Sequence, residues 1–232
     1  MRTTPALRTP AYSEKFDAAL RLAAAAHYED MRKGTAIPYV MHPFHVALIL
    51  DRCGCHEDLV LAGVLHDVLE DTEFSRVSVR TRLRSVCPGI KASAAATAST
   101  FRRATVAYIR TAFGRRALGL VEHVTEQKTD AAGKARPWAD RKAEQLAALA
   151  GASLDVCALK AADCLHNLHA MARDVRQRGT GALTRFKGGP EDTWDYYAGV
   201  VGIVAPRLGA THPLARELAA ALDDFGRALG RP

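Results

Sequence analysis

The amino-acid sequence predicts an all-α protein built as a single domain. Apolar residues recur three and four positions apart along most of the 232 residues, which is the spacing of one face of a helix. Little of the chain alternates as a strand does, and no Asn-Gly or Asp-Gly pair marks a tight hairpin. A chain of this length more often forms one large domain than two.

The first two helices are separated by a segment that disfavours helix. A helix is predicted over residues 13–31 and another over 44–52. Gly34 and Pro38 lie between them, and both are poor residues for a helix interior. His42 therefore stands at the start of the second helix, beside a proline that constrains the backbone. That position suits a ligand whose location must be fixed.

The stretch LAGVLHDVLEDT, residues 61–72, places four ionisable side chains in an otherwise apolar helical run. Read as one helix, it puts His66 four residues before Glu70 and Asp67 four before Asp71, so that each pair shares a surface. Unpaired carboxylates are costly in apolar surroundings, so they are usually paired, protonated or bound to a metal. Imidazole with carboxylate suits a divalent ion of the manganese, iron or zinc group. Taken alone, the His-Asp doublet also fits a surface pair with no role.

The rest of the chain reads as helices joined by polar connections. Two helices are expected within 76–112, one on each side of Pro88-Gly89. Polar loops are expected over 126–137 and 184–194. Further helices are predicted over 113–125, 138–150, 154–178 and beyond Thr211.

A second carboxylate within an apolar helical run is Asp163. Asn167 follows it by four residues, so the two side chains should meet on one face of the helix. Four other histidines are more typical of packing or surface positions than of ligands: His27, His45, His166 and His169. The candidate constellation, with Glu70 and Asp71 close by, is His42, His66, Asp67 and Asp163.

The excess of positive charge is confined to one segment. Residues 76–116 contain ten Lys or Arg and no Asp or Glu, which leaves 22 basic and 25 acidic residues in the rest of the chain. Such a segment could steer a polyanionic substrate or partner towards the protein. A solvated helical face explains the same pattern equally well.

Cysteine usage and hydropathy predict a soluble cytoplasmic protein. The five cysteines are odd in number and form no CxxC pair, which argues against a disulfide framework and fits a reducing compartment. No apolar run approaches the roughly 20 residues that cross a bilayer. The first ten residues lack the apolar core of a signal peptide, and no membrane partner is expected.

Four motifs, taken together, resemble a known family. They are Arg32-Lys33, PYVMHP at 38–43, LHDVLEDT at 65–72 and LKAADCLHN at 159–167. In this order they resemble the HD superfamily of metal-dependent phosphohydrolases, and within it the hydrolase domain of RelA/SpoT-type alarmone enzymes. The resemblance covers about residues 20–200.

The resemblance implies the domain organisation of an HD-domain helical bundle. Residues 13–205 would form the hydrolase domain, with 76–112 as a basic insertion. Residues 1–12 would be a flexible N-terminus and 206–232 a C-terminal helical tail. The chain has no room for the synthetase and regulatory domains of long family members, so a stand-alone small hydrolase is expected.

The resemblance also implies residue roles. The metal ligands would be His42, His66, Asp67 and Asp163, and the metal Mn(II) or another divalent transition metal. Glu70 and Asp71 would orient and deprotonate the attacking water. The expected substrate contacts are Arg32 on the base with Lys33 beside it, Asn167 on the sugar, and Lys142, Arg185 and Tyr196 on phosphates.

The implied activity is removal of the 3′-pyrophosphate from a guanosine or adenosine alarmone of the stringent response, with a small-molecule nucleotide as partner. The segment from Arg32 to Pro38 is one residue longer than is typical of these hydrolases, which motivates another phosphorylated nucleotide, such as NADPH, as the substrate. A non-catalytic regulator that binds nucleic acid through residues 76–116 is the least favoured reading. The alanine-rich helices would allow a homodimer.

Overall fold

The computed structural model describes residues 12–130 and 132–231, and in these ranges the chain is all-α, as predicted. The described residues form ten α-helices, one short 3₁₀ helix at Thr180–Leu183 and two isolated β-bridges. The α-helices are α1 Glu14–Ala26, α2 Met41–Arg52, α3 Glu57–Leu65, α4 Val68–Asp71, α5 Val77–Val86, α6 Ala98–Val124, α7 Trp138–Gly151, α8 Leu154–Arg178, α9 Gly189–Leu208 and α10 Pro213–Ala228. Apart from Tyr12, the N-terminus predicted to be flexible lies outside the described residues.

Helix α1 begins where the sequence predicts and ends earlier. The Ser13 hydroxyl accepts a hydrogen bond from the Phe16 N–H at 3.2 Å, which satisfies one of the free donors of the first turn. The helix ends at Ala26 instead of residue 31. Beyond it, Met31 pairs with Pro38 in a β-bridge that closes the connection to α2 as a tight loop. The predicted length was wrong because these bridge contacts, which are not visible in the helical pattern, replace the last turn.

The core is built around α8, which packs against α2, α3, α6, α9 and α10. Helix α3 lies inside the bundle, and every residue from Leu59 to Leu65 is buried. A helix surrounded on all sides needs no polar face, which explains the apolar run in the sequence. The candidate ligands on α8 and just after α3 therefore lie next to the core of the bundle.

The single helix predicted over 61–72 is interrupted, although Asp67 and Asp71 still share one surface, as expected. Helix α3 ends at Leu65 and α4 begins at Val68, so that His66 and Asp67 form the junction. His66 Nδ1 lies 2.8 Å from the carbonyl oxygen of Gly63, which a continuous helix would give to the Asp67 N–H. The side-chain contact replaces the helical bond and turns the Asp67 carboxylate towards the imidazoles.

Residues 76–124 form two helices, α5 and α6, as the sequence predicts around Pro88-Gly89. The intervening loop is fastened by Arg80, a buried side chain whose Nε donates to the Ala94 carbonyl at 2.6 Å. Helix α6 includes the separate helix expected at 113–125, joined through a kink at Gly114 with φ 95° and ψ 166°. Glycine reaches this backbone conformation easily, whereas other residues are strained there.

The C-terminal residues belong to the core. Helix α9 begins at Gly189, so the loop predicted over 184–194 is shorter than expected. Helix α10 packs on α8 and α9, and its apolar face is fully enclosed, with Leu214, Leu218 and Phe225 at 0% exposure. The predicted C-terminal tail, residues 206–232, thus contributes a helix that packs into the bundle.

The described residues contain no helix that is both long enough and apolar enough to cross a membrane. The five cysteines are free thiols, as their spacing predicts.

Candidate metal centre and its cleft

The predicted site residues lie in one cleft of about 1050 Å³. Its walls come from the loop before α2, from the junction of α3 and α4, from segment 124–136, and from helices α7, α8 and α9. All twelve candidate residues line it: the ligands His42, His66, Asp67 and Asp163, the carboxylates Glu70 and Asp71, and the expected substrate contacts Arg32, Lys33, Lys142, Asn167, Arg185 and Tyr196.

The four predicted ligands converge at the base of the cleft. His42 Nε2 lies 3.2 Å from His66 Nε2 and 3.2 Å from Asp163 Oδ1, and His66 Nε2 lies 3.1 Å from Asp67 Oδ2. Ligand atoms of His42, His66 and Asp163 all lie within 4.8 Å of one another. Donors that share an ion at about 2.1 Å sit roughly 3 to 3.5 Å apart, so this spacing fits a divalent metal.

The rings of both histidines are oriented by their second nitrogen. A carbonyl oxygen only accepts, so the contact from His66 Nδ1 to Gly63 O places a hydrogen on Nδ1. His42 Nδ1 lies 2.8 Å from His166 Nδ1, so His166 contacts a candidate ligand although it is not one itself. Burial would lower the pKa of His66, but the charges of Asp67 and Asp163 raise it to about 9. Metal binding through Nε2 would release that proton and leave a neutral ring with its hydrogen on Nδ1.

Asp163 is held by two neighbours on its own helix. Asn167 Nδ2 donates to Asp163 Oδ1 at 2.7 Å, the contact expected from the spacing of four, and Lys160 Nζ donates to Oδ2 at 2.9 Å. Burial would raise the pKa of Asp163, but Lys160 and His42 outweigh it and hold that pKa well below its usual range. The carboxylate is thus kept ionised and ready to coordinate.

Glu70 and Asp71 lie beside the candidate metal centre and contact the segment that follows α6. The Glu126 N–H donates to Glu70 Oε2 at 2.9 Å, and Lys128 Nζ lies 3.3 Å from Glu70 Oε1 and contacts Asp71 Oδ1. Burial and the charges of Asp67 and Asp71 raise the pKa of Glu70 to about 7, and Lys128 partly offsets them. Sequence reasoning missed Lys128, because a lysine in a polar loop carries no signal of what it faces.

Tyr39 was also missed, although it belongs to the PYVMHP motif. Its hydroxyl lies 2.7 Å from Asp67 Oδ2 and 2.9 Å from Asp71 Oδ2. Burial and the charges of these two carboxylates raise the pKa of Tyr39 well above its usual value. The phenol therefore remains a hydrogen donor between a candidate ligand and a candidate base.

One wall of the cleft carries two lysines. Lys142 Nζ lies 4.6 Å from the centre of the Tyr196 ring, and Lys160 Nζ lies 5.7 Å from it. Burial and the charge of Lys160 lower the pKa of Lys142. Beside them Thr193, which sequence reasoning did not single out, has a buried hydroxyl without a hydrogen-bond partner among the described residues. A cationic wall with a spare hydroxyl suits phosphate oxygens.

The expected base and sugar contacts are held by hydrogen bonds within the protein. Arg32 Nη2 donates to Asn167 Oδ1 at 2.7 Å, which connects the loop before α2 to the helix of Asp163. Lys33 lies on the rim of the cleft. Arg185 also lines the cleft, but its guanidinium pairs with the buried Asp174 and donates to the Ala182 carbonyl at 2.9 Å.

The basic segment, residues 76–116, lies largely away from the site. Arg76 is its sole member among the described residues that line the cleft. Arg103, Arg110 and Arg115 instead line a shallow depression on the outer side of α6. Most of the basic side chains of the segment thus lie outside the lining of the cleft.

The chain matches the family model described as HD domain over residues 19–185. Over 73 residues it is 37% identical to a guanosine-3′,5′-bis(diphosphate) 3′-pyrophosphohydrolase of Aquifex aeolicus, covering 32% of this chain and 10% of that protein. Over 66 residues it is 41% identical to a Drosophila melanogaster protein of the same description, covering 27% of this chain and 37% of that one. The chain thus spans about a tenth of the bacterial relative.

Two solved structures share the fold along most of the chain. One is a metazoan ortholog of SpoT described as hydrolysing ppGpp, with a TM-score of 0.62, 26% identity, and coverage of 96% of this chain and 99% of that one. The other is lmo0812 of Listeria monocytogenes, with a TM-score of 0.54, 28% identity, and coverage of 81% and 96%. With its four motifs converging in one cleft and the family model spanning most of its length, this chain belongs to the HD domain family.

Proposed function

We propose that the chain is a Mn(II)-dependent 3′-pyrophosphohydrolase of guanosine or adenosine alarmones. One observation carries the proposal: His42, His66 and Asp163 bring metal-binding atoms together beside Glu70 and Asp71, at the base of a cleft with a cationic wall. The relatives from Aquifex aeolicus and Drosophila melanogaster, which are named for cleavage of the guanosine nucleotide, support the choice of substrate.

His42, His66, Asp67 and Asp163 would hold the metal. Two neutral imidazoles and two carboxylates carry a formal charge that a divalent ion neutralises, and this mixture of nitrogen and oxygen donors suits manganese, iron or zinc. When bound, such an ion makes water acidic enough to attack near neutral pH and neutralises phosphate charge. Cytoplasmic manganese would supply the site.

Glu70 and Asp71 would orient the attacking water and take its proton. A carboxylate whose pKa is raised to about 7 is partly ionised at neutral pH, so Glu70 can accept a proton and later release it. The water oxygen bonds to phosphorus as the bond from that phosphorus to the ribose 3′ oxygen breaks. The proton then reaches the 3′ oxygen, and pyrophosphate leaves.

The wall of Lys142, Lys160 and Tyr196 would bind phosphate oxygens. Burial and the charge of Lys160 lower the pKa of Lys142, so an anion bound beside Lys142 would favour its protonated form. Asn167 contacts the Oδ1 atom of Asp163 and Lys160 its Oδ2 atom, so Arg32 and Asn167, at the Oδ1 side, would bind the base and sugar. The substrate would therefore extend across the metal centre with its 3′ arm at the base of the cleft.

A second candidate is an HD-fold hydrolase of another phosphorylated nucleotide, such as NADPH. It is favoured by the way the loop over 31–38 is fixed: Arg178 Nη1 donates to the Gly34 carbonyl at 2.7 Å, and a Cβ at Gly34 would lie 3.1 Å from the Arg185 side chain. These contacts fix the conformation of the loop. The loop is also one residue longer than the corresponding loop of typical alarmone hydrolases. A changed wall beside the base would change which nucleoside is accepted.

The experiment is a chromatographic assay with guanosine and adenosine 3′,5′-bisdiphosphate and, in parallel, NADPH. Chelator-treated protein is reloaded with Mn(II) and compared with Asp67→Ala and with Asp223→Ala, a surface control on α10. Release of pyrophosphate that requires metal and Asp67, but not Asp223, is the expected result. Phosphate release from NADPH alone would favour the second candidate, and no turnover of any nucleotide would contradict the proposal.

A further inference from the structure

The Tyr39 hydroxyl lies between two carboxylates that the proposed function gives different tasks. It is 2.7 Å from Oδ2 of Asp67, a candidate metal ligand, and 2.9 Å from Oδ2 of Asp71, a candidate activator of water. Asp67 Oδ2 is also the atom that lies 3.1 Å from His66 Nε2, so the phenol touches the oxygen that faces the metal centre.

Both the backbone and the ring of Tyr39 are held by neighbouring residues, so the position of its hydroxyl is fixed. The Tyr39 N–H donates to the Asp30 carbonyl at 2.8 Å, and the neighbouring β-bridge joins Met31 to Pro38. The phenol ring packs between His27 and His42, with ring centroids 4.9 and 5.9 Å away. A ring that contacts two neighbouring rings has little freedom to move its oxygen.

A phenol has one hydrogen, and here two carboxylate oxygens lie within its reach. Asp67 and Asp71 are also joined by a backbone hydrogen bond of 2.8 Å, from the Asp71 N–H to the Asp67 carbonyl. The hydroxyl thus adds a side-chain connection where the backbone already joins the two residues. Each carboxylate oxygen is confined by the same fixed atom.

We propose that Tyr39 is a positioning residue that sets the Asp67 carboxylate for metal binding and holds Asp71 at a fixed distance from it. The inference rests on the proposed function, because it assumes a metal at Asp67 and water activation at Asp71. A group that orients a metal ligand from outside the coordination shell typically changes metal affinity or activity by about 10- to 100-fold when it is removed.

The test compares Tyr39→Phe with Tyr108→Phe. Tyr108 packs against Phe113 on α6, away from the cleft, so its substitution controls for loss of a phenol hydroxyl. Mn(II) binding to chelator-treated protein is measured by titration calorimetry. Turnover of guanosine 3′,5′-bisdiphosphate is measured separately at saturating Mn(II). For Tyr39→Phe we expect Mn(II) affinity to fall about 10- to 100-fold and kcat at least about tenfold, with KM nearly unchanged. Tyr108→Phe should match the wild type.

A double variant separates positioning from general damage. If Tyr39 acts through Asp71, the kcat losses of Tyr39→Phe and Asp71→Asn should be strongly non-additive when combined. Unfolding of the metal-free variants, followed by circular dichroism, verifies that each is folded. Unchanged Mn(II) affinity and kcat in a folded Tyr39→Phe protein would overturn the inference and leave the proposed function intact. Absence of Mn(II) binding by the wild type would instead contradict the proposed function.

Discussion

The Lys128 ammonium group lies 3.3 Å from the Oε1 atom of Glu70. This contact joins the polar segment after α6 to the carboxylate that is best suited to act as a base. It also opposes the effect of burial, because a nearby positive charge favours the ionised form of Glu70.

Replacing Lys128 with methionine should raise the pKa of Glu70 further, since the offsetting charge is lost. A base must be ionised to accept a proton, so the acidic limb of kcat/KM should move to higher pH, by about half a unit to one unit. The measurement is a pH–rate profile with Mn(II) and guanosine 3′,5′-bisdiphosphate. Lys134→Met, on the exposed part of the same segment, is the control and should leave the limb in place. If the acidic limb of kcat/KM does not move in Lys128→Met, Glu70 is not the base whose pKa Lys128 lowers.

Glu70 should make the metal-free protein less stable at neutral pH than in mild acid. Its folded pKa of about 7 lies above the ordinary value of 4.5, so between these values the folded state retains a proton that the unfolded state has released. The free energy of unfolding therefore falls as pH rises through this window, and the full cost applies above pH 7.

Glu70→Gln removes this dependence. Relative to the wild type, the variant should gain on the order of 2 to 3 kcal/mol between pH 4.5 and pH 8, in urea unfolding with a chelator present. Glu122→Gln, on the exposed side of α6, is the matched control and should follow the wild type. Parallel pH curves for wild type and Glu70→Gln would show that Glu70 does not titrate in this range.

His166 should support metal binding without being a ligand. Its Nδ1 atom is 2.8 Å from His42 Nδ1. When His42 binds a metal through Nε2, its hydrogen is on Nδ1, and His166 Nδ1 would accept that hydrogen. His166→Phe preserves bulk and removes the acceptor, and Mn(II) affinity should fall about 10- to 100-fold. His169→Phe, at an exposed position one turn along α8, should bind Mn(II) as the wild type does. Equal affinities for both variants would exclude this role.

The kink in α6 should depend on glycine at position 114. With φ at 95° and ψ at 166°, any side chain is strained there, although no atom blocks it, and Gly114→Ala should lose about 1 to 3 kcal/mol of stability. Gly119 lies in the regular part of α6 with open space around it, so Gly119→Ala should gain about 0.5 to 1 kcal/mol. Thermal unfolding of the two variants measures whether each substitution lowers or raises the stability of the protein. A stabilising Gly114→Ala would refute the backbone argument.

The helices could be predicted because their signals are local, whereas the meeting of His42, His66, Asp67 and Asp163 was expected from the family resemblance. The apolar run of α3, the spacing of Asp163 and Asn167 and the Ser13 cap each follow from residues three or four apart, and the structure contains all three. The break at His66 could not be predicted, because a side chain replaces a backbone donor and leaves the apolar pattern unchanged.

The contacts that sequence reasoning missed join residues far apart in the chain. Lys128 reaches Asp71 across 57 positions, and His166 reaches His42 across 124. Neither has a periodic pattern to mark it, and both become visible when the helices are packed. Arg185 is a similar case. It was expected to contact phosphate, and in the structure it pairs with the buried carboxylate of Asp174.

The burial of residues 59–65 in α3 has a consequence for how the protein would acquire a metal. His66 and Asp67 follow seven consecutive buried residues, whose burial is complete only when the surrounding helices have packed over them. His42 and Asp163 arrive on different helices, α2 and α8. Under the proposed function, the metal-binding atoms would come together only in the folded protein, so Mn(II) binding would report completed folding.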